Sequence, residues 1–262
     1  MTLLAVRGLT RNFGGLVAVD AVTFDIAAGA VHSIIGPNGA GKTTLFNLIT
    51  GIYRPTQGRV HLAGVDATGL APSALARRGL SRTFQNLQLF FNMTALENVM
   101  VGAHLHSETG LARSLFRLGG LDRRDREIAA EARRLMADVG LESHIDAEVS
   151  AMPYGALKRL EIARALASRP RLLLLDEPAA GLNPAETRGI GALIRRIVGD
   201  GVTVVLVEHN MRLVMDVSDR VSVLDRGRLL AEGTAAEVRA NPDVVRAYLG
   251  TRAQARGQAS HA

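Results

Sequence analysis

Runs of apolar residues divide the chain before any motif is considered. Leu4–Leu9 and Val17–Ile26 read as strands flanking a turn at Asn12-Phe13-Gly14-Gly15. A third apolar run, residues 30–35, stops at Gly36, and a helix is predicted from Lys42 to about Thr50, ended by Gly51 and Pro55. Gly58–Leu62 reads as another short strand. From Leu96 to Ser150 strand-like runs disappear. There Arg124–Val139 places Ile128, Leu135, Met136 and Val139 at helical spacing among Arg and Glu, after a mixed, basic stretch at residues 103–122. From Leu172 onward the pattern alternates: strand Leu172–Leu175, helix near Pro184–Val198, strand Val202–Glu208, helix near Met211–Val217, strand Val221–Leu224. Such alternation predicts a parallel sheet built from βαβ units. The small, polar Thr251–Ala262 reads as a frayed tail.

Composition narrows the class. Hydrophobic residues are 47% and charged residues 21% of 262, the balance of a globular chain. The absence of cysteine excludes disulfides and thiolate metal sites. No apolar run approaches the roughly 20 residues of a spanning helix, and the N-terminus lacks a basic leader with an apolar stretch, so the chain is expected to stay in the cytosol. Lys and Arg outnumber acidic residues 31 to 25, which suits an anionic partner or an ordinary solvated surface equally. Aromatic residues are 4% with no tryptophan, which disfavours a base-stacking platform, and no nucleic-acid partner is expected.

Gly36-Pro37-Asn38-Gly39-Ala40-Gly41-Lys42-Thr43, followed by Thr44, satisfies G-x-x-x-x-G-K-[ST] between a predicted strand and a predicted helix. Glycines let successive amides turn inward around a polyphosphate at a helix N-terminus. Lys42 would place its charge on the β- and γ-phosphates, and the Thr43 hydroxyl would ligate Mg²⁺. An ordinary Gly-rich turn does not require the Lys-Thr pair. The four leucines Leu172–Leu175 suit a strand buried on both faces, and they lead to Asp176 and Glu177. At the C-terminal end of such a strand Asp176 suits Mg²⁺, directly or through water, and Glu177 suits general-base activation of an attacking water.

Further elements follow in an order that resembles the nucleotide-binding subunits of ABC transporters, from about Leu3 to Gly250. Thr83-Phe84-Gln85 resembles the glutamine loop, which implies that Gln85 reaches the metal and attacking water and that this loop meets a membrane partner. Tyr154-Gly155 and the stretch Lys158–Leu166 resemble the signature and its helix. Ala180-Gly181-Leu182-Asn183 matches the D-loop, His209 the switch histidine, and Phe13 the ring that stacks on adenine. The resemblance implies an α/β fold: a P-loop NTPase core with a parallel sheet, an N-terminal antiparallel β-lobe and an inserted α-helical subdomain. It implies a core from residues 1–95 and 168–250, a signature subdomain at 96–167 and a flexible tail at 251–262. It also implies two ATP molecules held between head-to-tail subunits, each cradle facing the partner's signature, with Tyr154 and Gly155 serving the partner's nucleotide.

Departures from the family pattern are specific. Where Leu-Ser-Gly-Gly-Gln is usual, this chain has Met152-Pro153-Tyr154-Gly155-Ala156, so the serine hydroxyl and the glutamine are missing and backbone donors remain. Asn183 stands where aspartate is common. Other stretches, among them Phe13–Val19, Asp176–Pro184, Ala231-Glu232-Gly233-Thr234 and Ala247-Tyr248-Leu249-Gly250, resemble the branched-chain amino acid importer group, and the basic insertion between Val101 and Arg126 resembles the larger of that system's two ATPase subunits. The resemblance then implies ATP and Mg²⁺ as cofactors and a second ATP-binding subunit, identical or related. It further implies transmembrane permeases, an extracytoplasmic solute-binding protein, and a peripheral place on the cytoplasmic face of the inner membrane. Urea or amide import, lipopolysaccharide export and a soluble, non-transport ABC ATPase are the alternatives. Arg113, Arg117, Arg123, Arg124 and Arg126 are expected to form a solvated face pairing with Glu127 and Glu131.

Overall fold

The computed structural model describes residues 1–103 and 121–248, with the side chains of 121–124 excepted. The basic stretch at 104–120 and the tail from 249 lie outside the described residues.

Two sheets organise the chain. The first has the order β2-β1-β4-β5, with β1 Thr2–Phe13, β2 Leu16–Ala27, β4 Gln57–Leu62 and β5 Val65–Asp66, all pairs antiparallel. β2 alternates buried Val22, Phe24 and Ile26 with exposed neighbours, so one face packs and the other meets solvent. The second sheet has the order β10-β9-β3-β8-β7-β6, with β3 Val31–Ile35, β6 Leu80–Arg82, β7 Leu172–Asp176, β8 Thr203–Val207, β9 Arg220–Asp225 and β10 Arg228–Gly233. Its five strands from β9 to β6 are parallel, and β10 is an antiparallel edge. β3, β7 and β8 are buried at every residue, which suits the four leucines of β7 and the Val204–Val207 run of β8, while β3 carries two buried polar residues, His32 and Ser33.

Helices cover these sheets: α1 Lys42–Ile49, α2 Pro72–Arg77, α3 Ala95–Ala103, α4 Leu121–Asp138, α5 Tyr154–Ala167, α6 Pro184–Gly199, α7 Met211–Val217 and α8 Ala235–Ala240. α3, α4 and α5 pack together, burying Val99, Met136 and Leu160 in a cluster that continues to Leu173 and Leu206 of the parallel sheet. Residues 242–248 are helical and bring Val244 and Tyr248 beside Ile35 and Val223. No helix among the described residues is long and apolar enough to cross a membrane.

The structure extends the sequence reading in several places. β1 runs to Phe13 rather than ending at Leu9, and α2, β6, β10 and α8 were not anticipated. α2 is six residues begun by a proline, and β6 is three residues; neither is long enough to express a period. Glu131 receives a two-pronged bond from Arg169, at 2.9 and 2.6 Å, a residue outside the arginine group expected to pair with it.

Candidate functional site

Because β3, β6, β7 and β8 are parallel neighbours in one sheet, their carboxyl ends share an edge, and the loops that follow them converge there. The loop after β3 is held tightly. A Cβ on Gly36, at φ 154°, would lie 2.2 Å from the Leu224 carbonyl oxygen, and one on Gly41, at φ 96°, would lie 2.5 Å from that of Ala18. Gly227 N–H donates to the Ala40 carbonyl at 3.0 Å, fixing the loop further. No side chain caps α1. Its first amides, which like those of any helix lack intrahelical acceptors, are therefore left without a side-chain acceptor and suit an anion. They face a cleft of about 700 Å³ lined by Phe13, residues 38–44, Gln85, Glu177 and His209.

Lys42 is buried, and its ammonium donates to the Gly36 and Pro37 carbonyls at 2.7 and 3.0 Å. Burial lowers its pKa from the ordinary lysine value, while the charges of Glu177 and Asp176 act in the opposite sense. Thr43 is exposed toward the cleft, and Thr44 is half-buried.

The two acids diverge. Glu177 adopts φ 49°, a left-handed conformation uncommon for a residue with a side chain, and its amide donates to the Val207 carbonyl at 2.9 Å. This turn directs its carboxylate into the cleft, where Oε1 lies 2.8 Å from His209 Nε2 and Oε2 accepts from Gln85 Nε2 at 3.2 Å. Asp176 does not emerge beside it as the sequence reading expected. Its side chain is 6% exposed and paired with Arg82 at 2.8 Å. The Asp176 N–H donates to Thr83 Oγ1 at 3.2 Å.

Arg82 and Glu208 are site residues the sequence reading missed. Buried Glu208 accepts from the amides of Ala179, His209 and Asn210 at 2.8, 2.9 and 3.0 Å, so one carboxylate ties the loop after β7 to the loop carrying His209. Its position just before His209, and that of Arg82 just before Thr83-Phe84-Gln85, were the available signals. Each looked like an ordinary charged strand end.

Phe13 is 39% exposed, on the cleft wall rather than in the core, with Tyr53 edge-on at 5.4 Å and the Arg11 guanidinium over its ring at 4.6 Å. That leaves a face suited to stacking a planar base. Tyr154 and Gly155 stand apart from the cleft, at the uncapped N-terminus of α5. There the Tyr154 ring rests against Gly181, and a Cβ on Gly155 would lie 2.5 Å from Glu186 Oε1. Asn183 has a concrete task. It caps α6, accepting from Ala185 and Glu186 amides at 2.9 and 3.0 Å while Glu186 Oε2 accepts from the Asn183 N–H at 2.9 Å.

The cleft brings together backbone amides, the Lys42 cation and the Glu177 carboxylate, groups suited to a polyphosphate and to a proton transfer beside it. Among the described residues no cluster of three His, Asp or Glu side chains forms a metal cage. A hydroxyl, one carboxylate and one amide beside phosphate oxygens are the donors Mg²⁺ favours, so Thr43, Asp176 and Gln85 fit it.

Comparison with known proteins shows the family to which the chain belongs. Residues 19–180 match the family model described as ABC transporter, and residues 228–254 match that of the branched-chain amino acid ATP-binding cassette transporter. The chain is 47% identical to the high-affinity branched-chain amino acid transport ATP-binding protein BraF of Pseudomonas aeruginosa, over 95% of this chain and 98% of that one. It is 45% identical to LivG of Escherichia coli K12, with the same coverage. Among solved structures it resembles a nucleotide-free ATP-binding cassette from an ABC transporter, with a TM-score of 0.83 and 31% identity over 95% of this chain and 99% of that one. A dimeric post-hydrolysis cassette bound to ADP and Pi gives a TM-score of 0.75 and 26% identity over 89% and 99%.

Proposed function

Since this chain belongs to the ATP-binding subunits of ABC transporters, we propose that its ATP hydrolysis powers uptake of branched-chain amino acids, through the cleft that opens on Gly36–Thr44. The subunit is an ATPase coupled to transport. The single observation that carries the site reading is the Glu177 carboxylate, bracketed by Gln85 and His209 beside the phosphate cradle.

In this reading the loop amides and Lys42 bind the β- and γ-phosphates, and Phe13 stacks on adenine. Thr43, Asp176 and Gln85 would hold Mg²⁺, which supplies charge neutralisation on the phosphate oxygens. Glu177 takes the proton of the attacking water, and Gln85 and His209 fix its two oxygens so that the base faces the γ-phosphate. The glutamine loop also faces the membrane partner.

Tyr154, Gly155 and the α5 amides sit away from this chain's own cradle, which supports a composite site completed by a second ATP-binding subunit in a head-to-tail dimer. Pro153 contributes no hydroxyl there, so backbone donors carry the contact. We assign residues 96–167 to a signature-bearing helical subdomain and residues 1–95 and 168–250 to the ATP-binding core, with 251–262 a flexible tail. The partners are permease subunits and, through them, an extracytoplasmic binding protein. The subunit works peripherally at the cytoplasmic face of the inner membrane.

The test is reconstitution with the neighbouring permease subunits in vesicles. ATP hydrolysis should depend on Mg²⁺ and rise when leucine, isoleucine or valine is presented with the binding protein. Hydrolysis that ignores these amino acids but responds to urea, an amide or lipopolysaccharide overturns the cargo assignment.

A further inference from the structure

Arg82, which the nucleotide reading does not use, joins three elements around the site through its guanidinium. It ends β6, immediately before the glutamine loop, and its side chain is 7% exposed. Nη2 donates to Asp176 Oδ2 at 2.8 Å. Nη1 donates to Asn47 Oδ1 at 2.6 Å and to Thr50 Oγ1 at 3.0 Å, both at the end of α1. The guanidinium lies 5.4 Å from the Phe46 ring and 5.0 Å from the Phe84 ring. Its buried Nε has no partner. A planar fork can reach two elements at once in this way; a lysine ammonium is a single point of charge.

The consequence lies in what these elements carry. α1 begins with Lys42 and Thr43, β7 ends with Asp176, and three residues beyond Arg82 comes Gln85. Thr83 reinforces the join by accepting from the Asp176 amide. Lys42 also feels the charge of Asp176, but its hydrogen bonds go to loop carbonyls. Asp176 is 5% exposed, and a carboxylate so enclosed is costly without a counter-charge.

We propose that Arg82 is a positioning residue that supplies the counter-charge of Asp176 and sets the angle at which this carboxylate meets Mg²⁺, joining metal binding to the root of the glutamine loop. Hydrogen bonds to a ligating carboxylate orient it, and losing such a partner weakens metal binding by roughly 10- to 100-fold. The proposal rests on the reading of Asp176 as a magnesium ligand. It uses one oxygen, Oδ2, for the arginine and leaves Oδ1 to the metal or its water.

The experiment compares the full-length parent with Arg82→Lys, Arg82→Met, Asp176→Asn and the double variant Arg82→Met/Asp176→Asn. Without nucleotide, Arg82→Met should melt about 10 °C lower because it leaves a buried charge alone. The double variant should melt no lower than the worse single variant, since a neutral amide in place of the carboxylate no longer needs a cation. Arg82→Lys should recover part of the loss. The Mg²⁺ concentration needed to strengthen binding of a fluorescent ATP analogue, relative to each protein's own binding in EDTA, should rise about 10-fold or more in Arg82→Lys. Additive melting losses, or an unchanged magnesium requirement, overturn the proposal while leaving the ATP site intact. If Mg²⁺ fails to strengthen analogue binding in the parent itself, the magnesium-site reading falls and this proposal with it.

Discussion

His209 Nε2 lies 2.8 Å from Glu177 Oε1, joining the loops after β8 and β7 across the mouth of the cleft. Gln85 holds the other oxygen at 3.2 Å from a residue 92 positions away in the chain. The carboxylate therefore has both oxygens fixed by neighbours that can also donate to a phosphate or a water.

If Glu177 is the general base, Glu177→Gln should lower kcat by about 10²–10⁴-fold and leave ATP affinity intact, because the amide keeps the shape and cannot take a proton. His209→Ala should lower kcat with KM little changed. Single-turnover hydrolysis beside equilibrium nucleotide titration checks both. Undiminished turnover in Glu177→Gln would remove its role.

Lys42→Ala takes away the buried cation of the cradle. A hydrogen bond to a charged group contributes about 1.5–3 kcal/mol, so ATP affinity should fall roughly 10- to 100-fold. Titration with a fluorescent ATP analogue reads this directly, and parental affinity would contradict the cradle assignment.

Two glycines of one loop should respond differently. At Gly36 an added Cβ would collide with the Leu224 carbonyl at 2.2 Å, whereas at Gly39, φ 78°, nothing stands within 4 Å. Gly39→Ala should cost about 1 kcal/mol of left-handed strain. Gly36→Ala must displace backbone and should cost several times that and impair nucleotide binding. Equal denaturation midpoints for the two variants would show that the loop is not clamped.

A pH effect comes from outside the cleft. His32 is buried with its ring stacked on Phe24 and Nε2 2.8 Å from Ser222 Oγ; burial, and to a smaller extent Arg220, push its pKa from 6.5 down to about 4. The unfolded chain thus binds the extra proton between about pH 6.5 and 4, and stability should fall as pH falls through that window, by about 3 kcal/mol when complete. His32→Gln should show a shallower decline in melting temperature over the same range. Parallel curves for the two proteins would exclude His32 as the cause.

The amino-acid sequence by itself determined the cradle, the leucine strand and the acids that end it. Each is written within about ten consecutive residues, where glycine freedom, helix start and strand burial act locally: Gly36 to Thr44 and Leu172 to Glu177 could be read without knowing what lies beside them. Tertiary structure decided what those residues touch. The Arg82–Asp176 pair spans 94 positions and exists because β6 lies next to β7 in a parallel order that no local period encodes. The same order puts Gln85, Glu177 and His209 on one edge, and a left-handed turn at Glu177 sends one carboxylate to the cleft while its neighbour stays inside. Glu208, whose place in the sequence marks only a strand end, became the joint between two loops because its buried carboxylate accepts from three amides, the buried one of Ala179 and the part-buried ones of His209 and Asn210.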